Sequence, residues 1–275
     1  MSATEKTVIA PPRGLLRIEW GDVWAHRELL YFFVWRDLKV RYKQTAIGAA
    51  WAVLQPVATM AVFTLFFGRL AKMPSYGLPY PLFFFSALLA WTYFATALNS
   101  ATNAMVENQR IITKVYFPRV LLPLASVVAG LVDFAIAFVL LVALMIFYGV
   151  APGLQAVFAP LFLLLAVLTA LGAGLWLSAL NAIYRDVRYA IPFLIQFWMF
   201  GSPVIYPSAM VPERWQWLFG LNPMAGVIEG FRWSLTGAGQ PPGPLLGVSC
   251  AVTLLMLLGG LVYFQRMEAN IADVV

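Results

Sequence analysis

The sequence predicts an all-α integral membrane protein: six transmembrane helices, an N-terminal amphipathic interface helix, and re-entrant exit-side gate helices before the last span. Three observations carry this. Of 275 residues, 62% are hydrophobic and 11% charged, with a mean hydropathy of +0.81. Soluble domains carry about 25% charged residues, so this chain lacks the polar groups to cover a water-facing surface. The charges are also segregated, with 13 of 30 in the first 45 positions. Finally, six separated stretches have the ~20 apolar residues that a spanning helix needs. This excludes a cytosolic enzyme, a disordered chain and a solenoid.

Residues 1–13 read as a disordered N-terminus. Positions 1–14 contain no apolar core of a signal peptide, so the N-terminus is expected to be retained. Over 14–45, Leu16, Trp20, Val23, Trp24, Leu30, Val34 and Leu38 recur at helical spacing, with Arg17, Asp22, Arg27 and Glu28 between them. Such a helix lies in the membrane interface with its Trp residues at headgroup depth. It ends in Arg36-Asp37-Leu38-Lys39-Val40-Arg41-Tyr42-Lys43. On their own these cations read as a positive-inside anchor. A sharper reading has them also meet an anionic lipid headgroup or phosphate.

The spans lie at about 46–68, 80–102, 120–148, 156–180, 189–206 and 244–264, within a domain of 46–265 that leaves 266–275 as a tail. The third contains Asp133, an intramembrane acid that marks either a functional site or a bond to a neighbouring helix. The fourth carries Ala170, Gly174 and Ser178, a small-residue stripe that permits close packing or dimerisation. The fifth is short and runs into Ser202-Pro203-Val204-Ile205-Tyr206-Pro207. Arg27, Arg36, Lys39, Arg41, Lys43, Arg110, Lys114, Arg119, Arg185, Arg188 and Arg266 fall on one side. Arg69, Lys72, Arg214 and Arg232 fall on the other. The richer side is the cytoplasm, which puts both termini there.

The loop 103–119 is longer than a hairpin requires, and its apolar–charged alternation suits a short helix across the cytoplasmic ends. On periodicity alone it is a connector. On the exit side, Asn222 can cap a helix starting at Pro223 and Gly220 can end the one before. The helix from Pro223 to Thr236 would be ~21 Å long, too short to cross. Glu229 and Arg232 are three apart and can pair on one face. Two short aromatic-rich helices after a span suggest a re-entrant hairpin, and so a gate.

None of the five lysines follows a glycine, so no P-loop is present. Cys250 and His26 are each the only one of their kind, which leaves no basis for a disulfide or a His-based metal site. Glu107, Asp186 and Glu213 sit on different loops, not paired as a glycan-processing enzyme would need. A single intramembrane acid and no evident repeat argue against a proton-coupled carrier. No catalytic or metal-binding residue, and no nucleic-acid partner, is expected.

Several motifs resemble one family in the expected order. Arg36 to Thr45 running into Ile47-Gly48, Trp51, Leu54 and Pro56 resembles the start of ABC-type polysaccharide export permeases, which export lipid-linked O-antigen or teichoic acid. Asn181 to Tyr189 resembles their second cytoplasmic loop, with Arg185, Asp186 and Arg188. Ser202 to Pro207, Leu221-Asn222-Pro223-Met224 and Phe231-Arg232 resemble their exit-side segment, and Glu268 with Ala272 to Val275 their tail. The resemblance implies a homodimer in the cytoplasmic (inner) membrane with two cytosolic ATPase subunits. ATP and Mg would bind those subunits and no cofactor this chain. It also implies a channel for a polymer on an undecaprenyl-pyrophosphate-type lipid, surrounded by membrane lipids.

Under the resemblance, Arg36, Lys39, Arg41 and Lys43 become headgroup contacts, and Glu107, Asn108, Arg110 and Lys114 belong to a coupling helix seated on the ATPase. Tyr206, Trp215, Trp217, Asn222, Glu229 and Arg232 belong to gate helices within 207–236. Phe83, Phe84, Phe85, Trp91 and Tyr93 are aromatics that could line the channel. The alternatives are the same architecture exporting a drug, another lipid or a capsule chain and, remotely, a membrane-embedded glycan-processing enzyme.

Overall fold

The structure is a computed structural model that describes residues 20–43, 50–184, 186–239, 241 and 243–274. The expected disordered segment 1–13, the first residues of the interface helix and Arg185 lie outside the described residues. Among the described residues, all regular structure is helical.

The N-terminal helix is two pieces, α1 (Trp20–Ala25) and α2 (Arg27–Lys43), broken at His26. Next comes α3 (Trp51–Phe63), which passes over Pro56 and continues as a π-helix, Thr64–Leu70. Helix α4 (Tyr80–Glu107) starts with Pro81 in its first turn, where a missing N–H costs nothing. A single turn, α5 (Gln109–Ile112), leads to α6 (Leu121–Phe147). Beyond a short 3₁₀ segment lie α7 (Ala159–Ile183) and α8 (Val187–Phe200). The chain ends with α9 (Glu213–Gly220), α10 (Pro223–Thr236) and α11 (Pro244–Val274).

Among the described residues, five segments are long and apolar enough to cross a membrane: 53–70, 80–107, 121–147, 154–183 and 244–268. The chain is a multi-pass α-helical membrane protein. The expected fifth span differs, because α8 has only 14 residues, ~21 Å at 1.5 Å per residue. It stops at Gly201, and Pro203 has no N–H to continue a helix. The turns at 201–206 follow it, with Val204 and Ile205 buried. At the other end, α11 continues as helix beyond 265, where a separate tail was expected to begin.

The buried centre is α4, 78% of whose most apolar stretch is enclosed by the rest of the chain. It packs against α6, α7 and α10. A Cβ on Gly174 would sit 2.8 Å from the Ala101 Cβ, so the small-residue stripe of α7 closes on α4 within one chain. Helix α11 packs on α7 as tightly. Gly172 faces the Leu257 backbone, Thr169 bonds Thr253 at 3.0 Å, and Trp176 stacks on Tyr263. By contrast α3 leaves Trp51, Leu54 and Val62 exposed, and α8 leaves Tyr189, Phe193, Phe197 and Phe200 exposed.

Gly172→Ala should destabilise the chain, because its Cβ would lie 2.8 Å from the Leu257 backbone nitrogen, which cannot swing away. The expected loss is ~1–3 kcal/mol, read as a lower unfolding temperature in detergent. Gly247→Ala, with nothing within 4 Å of its new Cβ, should be neutral or stabilising by up to ~1 kcal/mol.

Candidate functional site

Helix α2 lies against the N-terminal half of α6. Phe33, fully buried, meets Phe117 at 5.4 Å between ring centroids. Farther along, Arg41 forms an ion pair with Asp133, and the Tyr42 hydroxyl donates a hydrogen bond to the same carboxylate. The mid-span acid is therefore bonded to a neighbouring helix. Burial first, then the bond to Asp133, pushes the Tyr42 phenol up to about 12. Because the phenol bonds Asp133 as the neutral donor, the tie holds through neutral pH and is lost only as pH rises through about 12.

The four cations are not equivalent. Arg36 donates to Asn108 at 2.6 Å and pairs with Asp37 at 2.7 Å, and Arg41 is held by Asp133. Lys39 and Lys43 are exposed. Arg36 therefore ties α2 to the corner where α4 ends, and Lys39 and Lys43 are the pair left facing outward.

At that corner the short helix is the single turn α5. Helix α4 runs on to Glu107, where Asn108 leaves helical geometry and returns a hydrogen bond from Nδ2 to the Ala104 carbonyl. Ile112 and Phe117 anchor the following turns in the core. Glu107, Arg110 and Lys114 are exposed, together with Val115 and Tyr116; Asn108 is buried as the partner of Arg36. In the second loop Asp186 and Arg188 are exposed, and Arg188 lies over the Tyr189 ring at 4.6 Å.

Beside the Arg41–Asp133 pair is a half-open cavity of about 650 Å³ bordered by α2, α3, α4 and α6. Helix α4 turns Thr92, Thr96, Asn99 and Ser100 into it, and α3 adds Gln55 and Thr59. Phe85 and Tyr93 border it. Phe83, Phe84 and Trp91 instead pack against protein: Phe84 stacks on Phe63 at 4.8 Å, Trp91 meets Phe94 at 5.4 Å, and Phe83 lies under a guanidinium.

That guanidinium is Arg232, fully buried, 3.9 Å from the Phe83 ring centroid. It donates to the Pro203 carbonyl at 2.6 Å, and its Nη1 lies 3.3 Å from Glu229 Oε1. Glu229 in turn accepts from the Ser208 amide at 2.8 Å. Asn222 caps α10 by accepting from the Met224 amide and also receives the Trp198 indole N–H at 2.8 Å. Its Nδ2 donates to the Gly201 carbonyl at 2.9 Å. Tyr206 donates to the Phe200 carbonyl at 3.0 Å. Trp215 and Trp217 on α9 stay exposed. Four of the six expected gate residues thus hold one another and the broken end of α8, while the two Trp residues face outward.

The pattern of the ABC-2 type transporter family matches residues 28–236, a stretch that runs from α2 through α10. The chain belongs to the ABC-2 type transporter family. It is 28% identical over 255 residues to the O-antigen export system permease protein RfbA of Myxococcus xanthus, covering 92% of this chain and 97% of that one. It is 26% identical over 249 residues to RfbA of Klebsiella pneumoniae, covering 90% and 95%. The polysialic acid transport protein KpsM of Escherichia coli is 23% identical over 242 residues, 85% of this chain and 91% of that one. An ABC-2 chain of this kind is a transport permease rather than an enzyme.

Several residues of this ABC-2 site were missed in the sequence. Thr92, Thr96 and Asn99 recur at four- and three-residue steps, the spacing of one helix face. On the most enclosed span of the chain that stripe was a readable signal. Tyr42 carried none, since only the fold brings it to Asp133, 91 positions away.

Arg232→Ala should lower the unfolding temperature more than any exposed Arg→Ala on the same chain. It strips the donor from the Pro203 carbonyl and leaves Glu229 unpaired, which for a buried pair costs ~3–5 kcal/mol. Arg232→Lys keeps the charge but not the planar fork that serves a carbonyl, a carboxylate and a ring together, so it should recover less than half of the loss. Thermal unfolding in detergent, followed by tryptophan fluorescence, checks both.

Proposed function

We propose that this chain is the permease of an ATP-driven exporter that moves a lipid-linked surface polysaccharide, such as O-antigen on an undecaprenyl-pyrophosphate-type carrier, across the cytoplasmic membrane. The observation that carries the reading is family membership joined to likeness with O-antigen export permeases over nine-tenths of both lengths. Likeness to a polysialic acid transport protein supports a second reading, a capsule chain on another anchor.

Without a P-loop of its own the chain draws on a separate ABC ATPase, two subunits per complex, where ATP and Mg²⁺ bind. The exposed knob of Arg110, Lys114, Val115 and Tyr116 is the seat for that subunit, and the exposed Asp186 and Arg188 of the second cytoplasmic loop are further contacts. In this reading both termini are cytoplasmic, in line with the basic loops on that side. Two copies pair through the surfaces that one copy leaves bare, α3 and the aromatic face of α8. ATP-driven closure of the partner subunits pushes the knobs. Through the Arg36–Asn108 bond it also moves α2, whose outward Lys39 and Lys43 meet the carrier's anionic headgroup. The Glu229–Arg232 pair and, separately, Asn222 keep the exit-side turns in place while the two halves move.

Purified from its native membranes in mild detergent, the tagged chain should bring down a P-loop ATPase at equal stoichiometry. Proteoliposomes holding both should move lipid-linked glycan only with ATP. Recovery of the chain without any ATPase, even after crosslinking, would overturn the reading. Tyr116→Ala should cut ATP-driven export at least tenfold in the same vesicles while the chain inserts and purifies normally. Unchanged export would remove the knob from the coupling path.

A further inference from the structure

We propose that the groove between α8 and α11 is a binding site for an anionic glycerophospholipid, with one acyl chain in the groove and the headgroup on Arg266 and Arg188. The lipid belongs to the leaflet at the basic end of the bundle, where Arg110, Lys114 and Arg119 also lie. The site is separate from the cavity at Asp133 and does not depend on which polymer is exported.

The first argument is the chemistry of the walls. Helix α8 packs on α4 and α7, and α11 packs on α7, which leaves an open groove of about 850 Å³ between α8 and α11. Leu98, Ala173 and Leu177 form its floor. Ile191, Leu194 and Ile195 stand on one wall, and Val252, Leu255 and Met256 on the other. Among the described residues, the polar side chains that line it are Trp176, Trp198 and Asn222, and all three are bonded within the protein. The Trp176 indole donates to the Met256 carbonyl at 3.1 Å, the Trp198 indole to Asn222 Oδ1 at 2.8 Å, and Asn222 Nδ2 to the Gly201 carbonyl at 2.9 Å. A sugar or a file of waters would find no free side-chain donor there and would lose its own hydrogen bonds. Methylene groups lose none, and they gain contact with the exposed Leu194 and Leu255.

The second argument is depth. Along α8 the lining runs from Ile191 to Gly201, or ~15 Å at 1.5 Å per residue. One leaflet of a ~30 Å hydrocarbon core is also ~15 Å deep. The groove ends at Gly201 and Asn222, where α8 breaks, so a chain entering from the basic end reaches the midplane and stops. A crossing helix of a second copy would need twice that length and a width of ~10 Å. Tyr189, Phe193 and Phe200, on the bare face of α8, do not line the groove. A polyprenyl chain is far longer than the space.

The third argument is charge. Arg188 lies three residues before Ile191, on the groove side of α8. On α11, Met256, Gly259, Tyr263 and Arg266 follow one another at three- and four-residue steps, so Arg266 continues the groove wall toward the basic end. Both arginines are exposed, and among the described residues neither is paired with a carboxylate. Each has an aromatic partner at headgroup depth. Arg188 lies over Tyr189 at 4.6 Å, and Tyr263, one turn before Arg266, stacks on the groove-lining Trp176 at 4.7 Å. A cation on each wall suits a headgroup of net negative charge. A choline headgroup would bring its own cation against them.

Arg188 is also in the loop assigned to the ATPase, so the test turns on Arg266 and Leu255. The full chain, delipidated in mild detergent, is titrated with phosphatidylglycerol or with phosphatidylcholine of the same acyl chains. Bound lipid is counted by native mass spectrometry, with undecaprenyl phosphate as competitor. Wild type should retain one phosphatidylglycerol per chain and bind phosphatidylcholine at least tenfold more weakly. Leu255→Trp fills the groove from an exposed position, so it should weaken phosphatidylglycerol binding at least tenfold with an unchanged unfolding temperature in lipid-free detergent. Leu254→Trp, at the neighbouring exposed position that does not line the groove, should leave binding unchanged. Arg266→Gln should shrink the preference for phosphatidylglycerol at least threefold. Equal binding of the two lipids by wild type, equal binding by the two Trp variants, or displacement by undecaprenyl phosphate would each overturn the proposal. So would loss of pairing between two copies in Leu255→Trp, which would give the groove to a second chain.

Discussion

A helix broken inside an apolar bundle frees backbone carbonyls that no water can reach, and each must find a donor from elsewhere in the chain. Much of the exit side is organised by that need. Helix α8 stops at Phe200, and its loose end is met by side chains: Tyr206 on the Phe200 carbonyl, Asn222 on Gly201, Arg232 on Pro203 and Tyr80 on Ile205. Three donors come from beyond the break and the fourth from α4, so the turns are fixed against both the central helix and α10. The short α10 owes its place inside the bundle to the same bonds. It supplies Arg232 at its far end, and the residue that caps it, Asn222, holds Gly201.

The same logic of satisfying buried polar groups governs the other end of the molecule. Arg36 and Arg41 leave the membrane surface to bond Asn108 and Asp133, which leaves α2 pinned at two points about one and a half turns apart. One anchor is the corner before the exposed Val115–Tyr116 knob, and the other is the rim of the cavity between α2, α3, α4 and α6. The C-terminal helix is tied to the same region, since Arg119 bonds Glu268 through both its amide and its guanidinium.

Much of the architecture was legible in the sequence because it follows from local rules. Apolar runs of sufficient length gave the long spans, and the Asn222-Pro223 start marked where α10 begins; its last residue passes into a left-handed glycine, Gly237, at φ +68. The Glu229–Arg232 pair followed from its three-residue spacing. The short helix at 103–119 is shorter than the alternation suggests, because α4 keeps its hydrogen bonds to Glu107 before Asn108 breaks them and only Gln109–Ile112 forms the helix that follows. The fifth span was read too long because hydropathy continues through Val204 and Ile205 although the helix does not.

By itself, then, the sequence determined that this chain crosses a membrane as helices, which loops are basic, where α10 begins and which family its motifs resemble. Hydropathy, capping and charge are properties of neighbouring residues, so they can be read along a line. Tertiary structure alone decided which cations are free and which are spent. Asp133 meets Arg41 and Tyr42 from about ninety positions away, and Arg232 reaches Pro203 and Phe83 from separate helices. Those pairings arise from burial, which forces each charge or freed carbonyl to take whichever partner the packing brings within reach. No local pattern in the chain specifies that choice.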